Sequence, residues 1–154
     1  FADHQGIPPK VNFMPNYIYQ FSIDDLPVPL IIHNNSLVAP EESLAYGNLV
    51  DLMPTIAGLF PQPYLNTTLG RDLAADKTNE LSSYAFVPGK RESVMFNSQH
   101  IGSINHVTGE TRSANIDEQG TAHFTKAPNS MVDAANAYYT AAQYLLRANV
   151  RPPE

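Results

Sequence analysis

From residue 84 onward the chain passes from irregular, proline-rich sequence to a regular alternation of short extended segments and turn formers. No other feature narrows the fold so far. Tyr84–Val87, Ser93–Phe96, Ile101–Val107, Thr111–Ile116 and Thr121–Thr125 read as strands. The breaks between them, Pro88-Gly89, N-S-Q-H, T-G-E and D-E-Q-G, are rich in residues that favour turns. Strands so evenly spaced predict an antiparallel meander. Their alternation is polar on one face, so one side of the sheet is expected to be solvated.

A single long helix follows. Ser130 and Asp133 form an S-x-x-D start just after Pro128, close to a capping box. Met131, Ala135, Tyr138, Ala142 and Leu145 recur at spacings of four and three. They predict one apolar stripe on a helix over 130–148, packed inward along its length. Arg147 falls in the last turn, where a cation suits the helix dipole.

The first half of the chain is less regular. Pro8, Pro9 and Pro15 keep residues 7–16 extended or irregular, and Tyr17–Leu26 fits either a short helix or a loop. Val28–His33, V-P-L-I-I-H, is a continuous apolar run between Pro27 and Asn34-Asn35. It has the profile of a strand buried on both faces, as in a parallel sheet. Asp51 fits a helix N-cap, with Leu52, Ile56 and Leu59 at helical spacing behind it and Pro61 ending the element. Gly70 is expected to hold a backbone angle that other residues avoid.

Composition sets outer limits. The 154 residues suit one domain. A net charge of −6 argues against nucleic acid as a partner, since phosphate binding needs a basic patch. The longest apolar runs are about a strand long, too short to span a membrane. The absence of cysteine removes disulfides, thiolate metal sites and a Cys nucleophile. The chain opens on Phe1, which predicts a processed or excised piece of something longer.

Asp3 and His4 stand where a strand is expected to end. An Asp and a His there can offer one oxygen and one imidazole nitrogen to a cation. With the segments that follow they form a series: F-A-D-H-Q-G, V-P-L-I-I-H, N-L-V-D-L-M-P-T-I-A-G-L and T-T-L-G-R-D-L. This series resembles the C-terminal part of the catalytic domain of the sulfatase and alkaline-phosphatase superfamily. Within it, the chain is most similar to the lipoteichoic-acid-synthase-like phosphoglycerol transferases of Gram-negative envelopes. Residues 1 to about 75 carry the resemblance, while the meander and last helix carry it only loosely. One departure is that Gln5 follows His4 where the pattern has Gly.

The resemblance implies an α/β fold: the C-terminal portion of an alkaline-phosphatase-like sheet over 1–80, then the meander and helix over 81–154. It implies that Asp3 and His4 ligate a divalent cation, Mn²⁺ or Mg²⁺ before Zn²⁺, that polarises a phosphate and activates a hydroxyl. The nucleophile and remaining ligands belong upstream, so this stretch alone is expected to be inactive. The parent is expected to be anchored in the inner membrane, facing the periplasm, and to move a phosphoglycerol head group from an anionic lipid to a glycan. A sulfatase or phosphodiesterase of the same superfamily, and a non-catalytic envelope domain, are the alternatives.

Arg71 and His33 are the candidate substrate contacts. Arg71 is cationic, and His33 ends a strand at the edge where α/β folds bind ligands. The commoner roles are, for Arg71 and Asp72, a local salt link or surface charges, and for His33 a hydrogen-bonded structural histidine. Asp51 reads as a cap. His100, His106 and His123 read as surface residues. The sequons at Asn34 and Asn66 read as coincidence. A fragment of an open sheet is also expected to self-associate through an exposed sheet edge, at the strand ending at Ala2.

Overall fold

A computed structural model describes residues 14–23, 29–34, 36, 42–43, 45–75, 83–89 and 91–150. Its centre is a five-stranded antiparallel sheet in sequential order: β1 (Ala85–Pro88), β2 (Glu92–Phe96), β3 (His100–Asn105), β4 (Thr111–Ile116) and β5 (Ala122–Phe124). Pairings such as Phe96↔Ile101 and Ile101↔Ala114 fix the register. Gly109 and Gly120, at φ +75° and +72°, supply the left-handed residues of the β3–β4 and β4–β5 turns. The meander expected from the turn formers is present, with strand ends differing by one or two residues.

Both faces of the sheet are covered. On one, Val94, Phe96, Ile101, Ala114 and Ala122 pack with Tyr17, Ile18 and Phe21 of the first helix, α1 (Asn16–Gln20), and the turn after it. The Tyr17 and Phe96 rings meet at 5.3 Å. The short helix is therefore the form taken by the ambiguous Tyr17–Leu26 stretch, within its described residues.

The opposite face carries Ser93, Met95, Gly102, Ile104 and Ser113. It was expected to face solvent, and instead it receives the last helix, α3 (Ser130–Val150). The correction has a steric cause: small side chains let a helix approach a sheet closely. A Cβ on Gly102 would stand 2.7 Å from the Val132 nitrogen. Asn129 fastens the junction. Its N–H donates to Ser113 Oγ at 3.0 Å, and its side-chain amide donates to the carbonyls of Ile101 (3.1 Å) and Ala114 (3.2 Å). Its Oδ1 accepts the Met131 N–H, so the cap falls one residue before Ser130.

Only the first half of the predicted α3 stripe is core. Met131, Val132 and Ala135 are buried, whereas Leu145 is half-exposed and Leu146 is 62% exposed. Twenty-one helical residues extend about 31 Å. Strands of up to six residues extend about 20 Å. The helix outruns its sheet.

The Val28–His33 expectation is also corrected. Its described part, residues 29–33, is irregular; Leu30 is 40% and Ile31 78% exposed, and His33 is exposed. An apolar run becomes a buried strand only beside strands that can pair its backbone. All described strands pair antiparallel with one another. Pro29 removes one ladder donor as well.

Candidate functional site

The 46–75 segment, ahead of the sheet in the chain, is organised around Asp51. A 3-10 turn (Leu49–Asp51) leads directly into the second helix, α2 (Leu52–Gly58). Asp51 has helical backbone angles, so it lies inside this unit rather than capping α2 as expected. Asn48 takes the cap position, and Asp51 plays the acidic residue of a capping box. Its Oδ2 accepts the Asn48 N–H at 2.7 Å.

The other carboxylate oxygen reaches across the chain. Asp51 Oδ1 accepts the Arg71 backbone N–H at 2.7 Å, and the guanidinium stands 3.3 Å from Oδ2. Asp51 is 1% exposed, so a carboxylate removed from water has its charge met by two backbone donors and a cation. Thr55, 2% exposed, repeats the link one turn on. Its hydroxyl donates to the Asp51 carbonyl at 2.7 Å and accepts the Leu73 N–H at 3.0 Å. D-L-M-P-T and G-R-D-L, separate motifs in the sequence, thus interlock. Gly70 belongs to the same contact. Its φ is not positive; a Cβ there would lie 2.0 Å from the Val50 carbonyl oxygen, so close approach rather than an unusual angle calls for glycine.

The Arg71 guanidinium faces inward. It donates to the Tyr84 carbonyl at 2.8 Å and the Tyr46 carbonyl at 3.4 Å, and lies 3.8 Å over the Tyr84 ring. Asn48 Oδ1 accepts the Phe86 N–H at 2.8 Å. Tyr138 of α3 joins from the far side, its ring 4.4 Å from that of Phe86. Burial first, then the charge of Asp51, pushes the Tyr138 hydroxyl up to about 12. One node therefore ties the 46–75 segment to β1 and α3. Arg71 acts in it as a positioning cation, with its donors turned to protein groups.

Beside the node is an open recess of about 270 Å³, between the C-terminal end of α2 and the loop before Arg71. Pro54, Ala57, Phe60, Tyr64, Asn66 and Asp72 help to line it. Asp72 does not form the expected local salt link with Arg71. Its Oδ1 accepts the N–H groups of Ala74 (2.9 Å) and Ala75 (3.3 Å), and its other oxygen packs on Gly58.

Asp3 and His4 lie outside the described residues. His33 is exposed on the irregular 29–34 segment and takes no part in the node. Among the described residues no three or more His, Asp or Glu side chains stand together as a metal-holding group. No described helix is long and apolar enough to cross a membrane.

His106 corrects its surface assignment. Its ring stacks on Tyr139 at 3.6 Å and 14°, and Nε2 is 2.9 Å from the buried Ser93 Oγ. Burial lowers its pKa below the ordinary 6.5. His123 is exposed as expected, 2.7 Å from Asp117 Oδ2; that contact comes first among the causes that lower the Asp117 carboxyl's pKa. Asn48, Tyr46 and Tyr138 were not legible as site residues. Asn48, directly after Gly47 and three before Asp51, was the nearest to a readable signal, as a capping box.

No family model, no curated protein and no solved structure matches this chain.

Proposed function

We propose that this chain is the C-terminal part of a metal-dependent catalytic domain of the alkaline-phosphatase superfamily, one that transfers a phosphoglycerol-type head group from an anionic lipid to an envelope glycan on the periplasmic side of the inner membrane. The observation that carries this reading is the Asp51–Thr55–Arg71 interlock. Two of the four motifs behind the resemblance meet through the residues that define them: Asp51 and Thr55 of D-L-M-P-T, and Arg71 of G-R-D-L. Chance matches to short motifs have no reason to be complementary in space.

In this reading Asp3 and His4 are two ligands of a divalent cation, Mn²⁺ or Mg²⁺ before Zn²⁺. A carboxylate and an imidazole suit such ions, and two groups alone hold one weakly. When bound, the cation supplies Lewis-acid polarisation of the phosphate and a lowered pKa for the attacking hydroxyl. The nucleophile comes from chain ahead of Phe1. Arg71 supports the fold of the 46–75 segment rather than touching substrate, and the chain by itself is inactive.

The test is head-group release from phosphatidylglycerol by the protein of the complete reading frame. Asp3→Ala and His4→Ala should each abolish most turnover while leaving its melting temperature in place. Undiminished turnover in His4→Ala would exclude the metal role of Asp3 and His4, and no head-group release by the unsubstituted protein would exclude the transferase reading.

A further inference from the structure

Strand register brings two histidines that lie far apart in the sequence onto one face of the sheet. His100 on β3 pairs with Asn115 on β4, and Asn115 pairs with His123 on β5. Their neighbours Ile101, Ala114 and Ala122 all belong to the core against α1, so these three side chains point to the opposite face. There they form a polar row across three strands, next to the Gly102–Ser113 pair where α3 begins to cover the sheet. Asn115 and His123 are exposed and His100 is half-exposed, so the row is open to solvent.

The spacing suits one metal ion. Neighbouring strands stand about 4.8 Å apart, which puts the His100 and His123 backbones about 10 Å from each other. Two imidazoles leaning inward across that gap, each with a metal–nitrogen bond of about 2.1 Å, meet at one ion above Asn115, whose Oδ1 supplies a third donor. Among the described residues neither the His100 ring nor the Asn115 amide has a hydrogen-bond partner, so no bond has to break before they turn inward.

His123 carries a second mark of a ligating histidine. Its Nε2 stands 2.7 Å from Asp117 Oδ2. That carboxylate is itself held in place: its Oδ1 accepts the Thr121 N–H at 2.8 Å and the Gln119 N–H at 3.0 Å. A carboxylate fixed in this way takes the proton-bearing nitrogen of the ring, leaves Nδ1 with its lone pair and makes it a better metal ligand. The chain's charge of −6 favours a cation. Two imidazoles and one amide oxygen suit Zn²⁺ better than Mg²⁺ or Mn²⁺, which separates this row from the Asp3–His4 pair.

We propose that His100, Asn115 and His123 form a Zn²⁺ site on this face of the sheet, with Asp117 orienting His123, and that the ion staples the three-residue strand β5 to β4 and β3. Calorimetric titration of the untagged chain with zinc chloride at neutral pH tests this. One ion should bind per chain and raise the melting temperature, as a ligand held only by the folded state does. His100→Ala and His123→Ala should each remove the stoichiometric binding, and Asp117→Asn should weaken it about tenfold. Glu110→Gln, at the opposite end of the β3–β4 hairpin, should leave it unchanged. Equal melting temperatures of the variants and wild type without zinc would show that the loss reads the site and not the fold. Absence of stoichiometric binding would overturn the proposal, as would binding that survives both histidine variants. Binding that His4→Ala removes would also overturn it, placing the ion at the Asp3–His4 pair instead.

Discussion

The Asp51 carboxylate accepts the Arg71 backbone N–H at 2.7 Å, joining two positions twenty residues apart. The same carboxylate holds the Asn48 N–H and faces the Arg71 guanidinium, so one buried side chain closes the whole 48–71 loop. Asp51→Ala leaves two backbone donors and a partly buried cation without their acceptor. The expected loss is about 3–5 kcal/mol, the usual cost of removing one partner of a buried pair. Urea unfolding measures it. Asp51→Asn should cost less, because its side-chain oxygen can still accept one N–H.

Gly102 and Val132 set the closeness of α3 to the sheet. Gly102→Ala puts a methyl 2.7 Å from the Val132 nitrogen and 2.9 Å from Asn129 Oδ1. Neither is the free end of a flexible side chain, so the helix has to move outward. The expected loss is about 1–3 kcal/mol, as for other overpacked contacts. A shift of the denaturation midpoint at constant slope would show it.

The two ends of the α3 stripe should behave differently. Met131→Ala removes a buried side chain beside Met95 and should cost about 2–5 kcal/mol. Leu145→Ala acts where the helix has run past the sheet and should cost less than about 1.5 kcal/mol, closer to a surface change. Equal losses at the two positions would mean that the far end is packed after all.

Alkaline stability should depend on Tyr138. Its hydroxyl is raised from 10.0 to about 12 in the folded chain, so the unfolded chain gives up the proton first. The associated stability is complete below pH 10 and is lost as pH rises from 10 to 12. Tyr138→Phe should flatten the fall of unfolding free energy over that window. Buried Tyr17, also raised, accounts for slope that remains. His106 acts in the opposite range. Its pKa is lowered in the folded state, so stability is lost as pH falls below 6.5, where the unfolded chain takes up the proton.

Local chemistry explains which parts of the fold were legible. Turn formers and alternation depend on near neighbours, so the meander and the start of α3 could be read directly. The face of Ser93, Gly102 and Ser113 reads as polar. Whether small polar residues meet water or a helix depends on an element that lies elsewhere in the sequence. Val28–His33 failed for a related reason: an apolar run says that burial is favourable, not that partner strands stand beside it. Asp51 was legible as a residue of a helix start. Its tie to Arg71 spans twenty residues and could not be read from spacing alone.

The most direct test of the functional reading is manganese binding followed by electron paramagnetic resonance. It would be made on the protein of the complete reading frame and on this 154-residue chain. The reading predicts tight, stoichiometric binding in the longer protein that His4→Ala removes, and only weak binding in this chain, where Asp3 and His4 stand without their other ligands. Tight stoichiometric binding by the longer protein that survives both Asp3→Ala and His4→Ala would contradict it.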